Sequence, residues 1–155
     1  MRYVAVVVAV VLLVAIGTLE AGESARQLAD QPGRGRPTLG PGGAALTFVG
    51  LVLSLAVYAV LGWIVARDKG TERAALWAGI VVGIFAGLIG GTIRALFVRD
   101  YLASTLGRYG LPQELTSWSL AVFVVLSIAA SAAGGGAITW LSFRSTRHAR
   151  PRPRS

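Results

Sequence analysis

Leu76–Ile93, LWAGIVVGIFAGLIGGTI, is the stretch that decides the fold of this 155-residue chain. It contains no charged residue and no proline. Its eighteen residues, at 1.5 Å of rise each, would form a helix of roughly 27 Å. That length is close to the thickness of about 30 Å of the hydrocarbon core of a bilayer, so the stretch predicts a transmembrane helix.

The small residues of this predicted helix share one side of it. At 100° per residue, Ile84, Phe85 and Leu88 fall on the other side. A face without bulky side chains lets a second helix approach closely, and close approach is what holds helices together in lipid. A second small face occurs in the last apolar run, and we expect the two faces to pack together within one chain or against another subunit. The expected packing residues are Gly79, Gly83, Gly87, Gly90 and Gly91 in the first face and Ser127, Ser131, Gly134 and Gly135 in the second.

The composition of the whole chain argues against a soluble domain. Hydrophobic residues make up 54% of it, charged residues make up only 14%, and the mean hydropathy is +0.65. The formal net charge is +8, but five basic residues lie in the last twelve positions and the others lie between apolar runs. Orientation in a membrane explains this distribution, so the expected partner is the lipid bilayer and not a nucleic acid.

Three further apolar runs complete an all-α integral membrane four-helix bundle. The first run is either a signal anchor or a signal peptide, and cleavage of residues 1–17 would leave three spans. Cleavage would leave the other spans unchanged. The predicted segments are a first span at 1–19, an external Pro- and Gly-rich loop at 20–43, a three-span core at 44–143 with an external loop at 94–117, and a disordered basic tail at 144–155. Leu102, Leu106 and Tyr109 share a helical face, so the second external segment contains either a short helix on the membrane surface, ending before Gly110, or an ordinary loop.

The basic residues also predict the orientation of the chain. If both termini are cytoplasmic, nine of the fifteen basic residues lie on the cytoplasmic side. The chain is rich in Arg, Ala, Val and Gly, a composition typical of GC-rich bacterial genomes. These features predict a multi-pass protein of the bacterial cytoplasmic membrane.

The chain offers little that could support catalysis. There is no cysteine, and the one histidine, His148, lies in the basic tail. Ser54, Ser127 and Ser131 lie within apolar runs, where we expect each hydroxyl to bond the backbone carbonyl four residues earlier. We therefore expect no enzyme activity, no cofactor and no metal site.

Arg94 directly follows the glycine-rich span and lies on the same side as its glycines. Its long side chain can reach water at the membrane surface. The other interpretation is that it contacts an anion or a lipid headgroup.

These patterns favour a small multi-pass membrane protein that is a non-catalytic accessory or structural subunit. It would act through small-residue helix packing, in a larger membrane complex or by self-association. The alternative is a holin-like or channel-forming membrane oligomer, although no span carries an obvious polar stripe. Co-purification with one larger partner would favour the subunit, and non-specific leakage on expression would favour the channel.

Overall fold

The computed structural model describes residues 2–29, 41–68 and 70–148. These residues form four helices and no strand. The helices are α1 (Arg2–Ala29), α2 (Pro41–Arg67), α3 (Glu72–Arg108) and α4 (Glu114–His148). Each helix includes a stretch long and apolar enough to cross a membrane. The predicted all-α membrane four-helix bundle is therefore confirmed.

The four helices form a ring in which α1 and α4 occupy opposite corners. The most extensive contact joins α3 to α4, while α2 packs against both α4 and α1, and α1 also packs against α3. Across the centre, α2 and α3 touch over a short length. Within the described ranges no contact joins α1 to α4, so space remains between these two helices.

Two clusters of buried apolar side chains fill part of the interior of the bundle. The first, called the Tyr58 cluster here, consists of Ala9, Leu13, Tyr58, Leu61 and Val82. The second consists of Val65, Ala66, Ala75 and Phe143 and lies nearer the turn between α2 and α3. Side chains from α1, α2 and α3 therefore pack together in the Tyr58 cluster.

Both α1 and α3 extend beyond their apolar runs. Residues 20–29 continue α1, although the sequence predicts a loop there. Residues 94–108 continue α3, so the part of the second external segment before Gly110 is helical, as one of its two interpretations predicts, but it belongs to the spanning helix. Neither segment contains proline, and a helix retains its backbone hydrogen bonds when it leaves the hydrocarbon for water. Hydropathy therefore predicts where a span ends but not where its helix ends. The rest of the first predicted loop, up to residue 40, lies outside the described residues.

The end of α3 is set by glycine. The backbone N–H of Leu111 donates to the Leu106 carbonyl and that of Gly110 donates to the Gly107 carbonyl, both at 3.1 Å. This pair of bonds is a Schellman motif, which requires a left-handed residue after the last helical turn. Gly110 supplies it with a φ of 67°.

The last helix reaches further than expected into the predicted basic tail. Residues 144–148 belong to α4 instead of being disordered. The Arg147 guanidinium donates to the Gly70 carbonyl at 3.0 Å, and the Arg144 guanidinium lies 5.3 Å from the centroid of the Trp140 ring. The Arg147 bond holds the final turn of α4 against the α2–α3 connection, while the Arg144 contact lies within α4. Residues 149–155 lie outside the described residues.

Candidate functional site

The glycine face of α3 lies directly against the backbone of α4. A Cβ added at Gly83 would lie 2.7 Å from the Cα of Ala132, and one added at Gly87 would lie 2.7 Å from the Cα of Ile128. Real Cβ atoms do not approach other atoms this closely. A larger residue at either position would therefore push the two helices apart.

The nine predicted packing residues divide into two groups. Seven of them meet across the α3–α4 contact, with Gly79 against Gly135, Gly83 against Ser131, and Gly87 and Gly91 against Ser127. The other two, Gly90 and Gly134, have no atom within 4 Å of an added Cβ. Both of these glycines line an interhelical cavity.

This cavity has a volume of about 390 Å³ and is lined by residues of all four helices. Along α4 its wall runs from Ser127 to Ile138, a rise of roughly 16 Å, or about half the hydrocarbon thickness. Arg94 lies at one end, while Leu13 and Tyr58 of the Tyr58 cluster also line the wall. The cavity therefore extends from Glu20 and Arg94 at one end to Leu13 and Tyr58 at the other, along the side of the bundle where the described parts of α1 and α4 do not touch.

An ion pair between Glu20 of α1 and Arg94 of α3 lines one end of the cavity. Nη2 of Arg94 donates to Oε2 of Glu20. The Arg94 side chain is 41% exposed and that of Glu20 only 14%. The carboxylate also lies against α2, because a Cβ added at Gly50 would overlap it. The pair thus joins three helices at this end of the bundle.

Sequence reasoning missed this pair because it assigned Glu20 to a loop. A signal was nevertheless present. Glu20 and Arg94 are the first charged residues after the first and third apolar runs, which are predicted to cross the membrane in the same direction. Such residues reach the same end of the bundle. The sequence therefore offered Arg94 an intramolecular carboxylate as a further possible partner, in addition to water and to an anion or a lipid headgroup.

Four hydroxyl groups line the cavity wall. They belong to Ser54, Tyr58, Ser127 and Ser131. None of them bonds to another residue within the part of the chain that the structure describes. The expected bonds from the three serines to the carbonyls four residues earlier are absent there, although Thr18 does make such a bond to Val14 at 2.8 Å. The wall therefore presents four hydroxyls to whatever fills the cavity.

Tyr58 is the most buried of these four residues, with 7% of its surface exposed. Its ring lies over Gly135, where an added Cβ would be 2.8 Å from Cζ of the ring. The backbone beside this ring is fixed to α4, because Thr139 donates to the Tyr58 carbonyl at 3.3 Å and Ser142 donates to the Ala59 carbonyl at 2.6 Å. Gly135 thus makes room for the ring at the inner end of the cavity.

The class of the protein follows from these features. Within residues 2–29, 41–68 and 70–148 no group of three His, Cys, Asp or Glu side chains could hold a metal ion. Comparisons with family models, with curated proteins and with solved structures find no match for the chain. The fold defines an all-α multi-pass membrane protein, and the cavity between its helices is mostly apolar with four hydroxyls and an ion pair in its wall.

Proposed function

We propose that the protein is a non-catalytic subunit of a larger membrane complex and that it binds another membrane protein through the lipid-facing side of α4. The observation that carries this proposal is the exposure of Ala129, Ala133 and Ala137. These residues are spaced by four positions and therefore lie along one side of α4. They are called the alanine face below.

The alanine face differs from the lipid-facing surface of the other three helices. Exposed positions there mostly carry large side chains, such as Val8 of α1, Val60 of α2 and Phe85 of α3. Small residues are enriched where membrane helices pack together, because they allow close backbone approach. A second helix could therefore come nearer to α4 than to any of the other three.

The extent of burial also supports a partner on α4. In the most apolar stretch of α4 only 11% of the residues are buried within the chain, compared with 28% in α2 and in α3. The glycine face of α3 is already occupied by α4 itself. A partner would thus require another small face, and the alanine face is available for it.

Purification from source membranes in a mild detergent tests this function. We expect the chain to elute with one larger membrane protein at fixed stoichiometry, and to lose it on Ala133→Leu substitution. Val60→Leu is the matched control, because Val60 is an exposed residue of α2 and lies away from the alanine face. Elution of the wild-type chain alone, or only with further copies of itself, would contradict the proposal.

The location of the protein is part of the same proposal. We place it in a bacterial cytoplasmic membrane with both termini cytoplasmic, on the distribution of its basic residues. Reporter fusions to the two termini test this orientation. An external carboxyl terminus would reverse the assignment.

The hydroxyls and the ion pair in the cavity wall favour one alternative, a channel-forming oligomer. The cavity ends at the Tyr58 cluster, so a single chain has no continuous polar path, and a pore would require several copies or an opened bundle. Release of a trapped dye from liposomes containing the purified chain would favour this alternative. Intact liposomes at the same protein density would favour the subunit.

A further inference from the structure

The cavity between the helices has the features of a ligand site. Within the described residues it combines an ion pair at one end with four unbonded hydroxyls along its wall. We propose that it binds a small zwitterion, a molecule with an ammonium and a carboxylate group on one short carbon skeleton. This inference is independent of any partner on α4.

The charges of Glu20 and Arg94 indicate which charges the ligand carries. The Arg94 guanidinium has five N–H donors, and within the described residues only Nη2 is bonded, to the Glu20 carboxylate. A simple anion at Arg94 would also meet the negative charge of Glu20, and a simple cation at Glu20 would meet Arg94. A zwitterion can place its carboxylate on Arg94 and its ammonium beside Glu20. Each of the ligand's two charges then lies next to a residue of opposite sign.

The hydroxyls along the wall specify the body of the ligand. A polar group that is buried without a partner is costly, above all at membrane depth, where lipid offers no hydrogen bond. Tyr58 as a whole is 7% exposed, while its phenol oxygen remains accessible from the cavity and is unbonded to the rest of the described chain. An acyl chain in the cavity would leave all four hydroxyls without partners. A water-soluble molecule, or the water that enters with it, supplies polar atoms to them.

The dimensions suit a molecule the size of an amino acid. A volume of about 390 Å³ lies near the lower end of the range of roughly 300 to 1,000 Å³ typical of small-molecule pockets. Gly90 and Gly134 leave space in the cavity, because neither has a side chain and no atom lies within 4 Å of a Cβ added at either position. A large side chain at Gly134 would therefore fill part of the cavity and leave the α3–α4 contact intact.

Equilibrium binding to the full chain in phosphatidylcholine nanodiscs tests the proposal. The probes are the proteinogenic amino acids with uncharged side chains, together with the deaminated and decarboxylated analogue of each one that binds. For leucine these analogues are 4-methylpentanoate and 3-methylbutylamine. We expect at least one amino acid to bind and both of its analogues to bind at least tenfold more weakly. Failure of every amino acid, or equal binding of either analogue, would overturn the proposal.

Three variants connect the binding to the cavity. The double variant Glu20→Gln/Arg94→Gln removes both charges together and should abolish binding. Tyr58→Phe removes a single hydroxyl without changing the ring, and we expect roughly fivefold weaker binding. Gly134→Leu should also abolish binding by filling the cavity. Leu141→Ala, on the exposed side of α4, serves as the control and should bind like the wild type.

Two further measurements distinguish a bound amino acid from a folding defect and from a bound lipid. If the double variant does not fold, the Tyr58→Phe and Gly134→Leu results carry the test, and unchanged affinity in both would refute the cavity as the site. Phosphatidylethanolamine carries a related zwitterionic headgroup, so native mass spectrometry from mixed-lipid nanodiscs is the second arm. Retention of this lipid by the wild type but not by the double variant, with no amino acid bound, would assign the site to a lipid headgroup and overturn the proposal.

Discussion

Replacing Gly83 by Ala should separate α3 from α4, whereas the same change at Gly90 should not. The added Cβ at Gly83 would lie 2.7 Å from the Cα of Ala132, about 0.7 Å short of the 3.4 Å at which ordinary van der Waals contact begins. Because the obstacle is backbone, the helices must move apart. A gap of this size forfeits a quarter to a half of the dispersion energy of the atoms that it separates.

Gly90 is the matched control, since an added Cβ there meets no atom within 4 Å. Both substitutions gain similar helix propensity, about 1 kcal/mol, and this gain cancels when the two variants are compared. The remaining difference is the cost of overpacking, roughly 1 to 3 kcal/mol in favour of Gly90→Ala. Gly90→Ala should be as stable as the wild type or slightly more stable.

The free energy of unfolding can be measured in mixed micelles by titration with a denaturing detergent. The fluorescence of the four tryptophans would report the transition. If Gly83→Ala and Gly90→Ala unfold at the same detergent fraction, the close α3–α4 contact does not contribute to stability and the reasoning fails.

Three further substitutions test other parts of the bundle by the same unfolding titration. Glu20→Gln should lower the free energy of unfolding more than Glu20→Gln/Arg94→Gln does, because the single change leaves Arg94 without its ion-pair partner. A double variant as unstable as the single one would argue against the pair. Thr139→Val keeps the shape of the side chain but removes its hydrogen bond to the Tyr58 carbonyl, and should lower the free energy of unfolding by about 0.5 to 1 kcal/mol. An unchanged unfolding midpoint would show that this bond does not contribute to stability. Gly110→Ala should cost roughly 1 kcal/mol from its φ of 67° alone, since no atom lies within 4 Å of the added Cβ, and a stabilised variant would contradict the left-handed turn.

The fold was predictable because each span can be recognised from its own residues. An apolar run of eighteen or more residues requires no knowledge of its neighbours, and the one-sided small residues of the third span indicate which face another helix can approach. In the structure the face of these small residues lies against α4, with Gly79 next to Gly135.

The cavity was not predictable in the same way, because it depends on the arrangement of all four helices. Ser127 and Ser131 look like ordinary packing residues in the sequence, and Tyr58 is one aromatic residue in an apolar run. They share a cavity only because α1 and α4 occupy opposite corners of the ring. Glu20 was missed for a different reason, since the apolar run ends before it but the helix does not.

Binding of a partner helix to the alanine face is tested most directly by site-specific crosslinking in source membranes. The chain has no cysteine, so Ala133→Cys provides a single attachment point for a photoactivatable group, and Val60→Cys on the exposed side of α2 provides a control. We predict one discrete crosslinked protein from Ala133→Cys that is absent from Val60→Cys. Labelling of lipid alone at Ala133, or the same products from both positions, would contradict the assignment of α4 as the partner-binding helix.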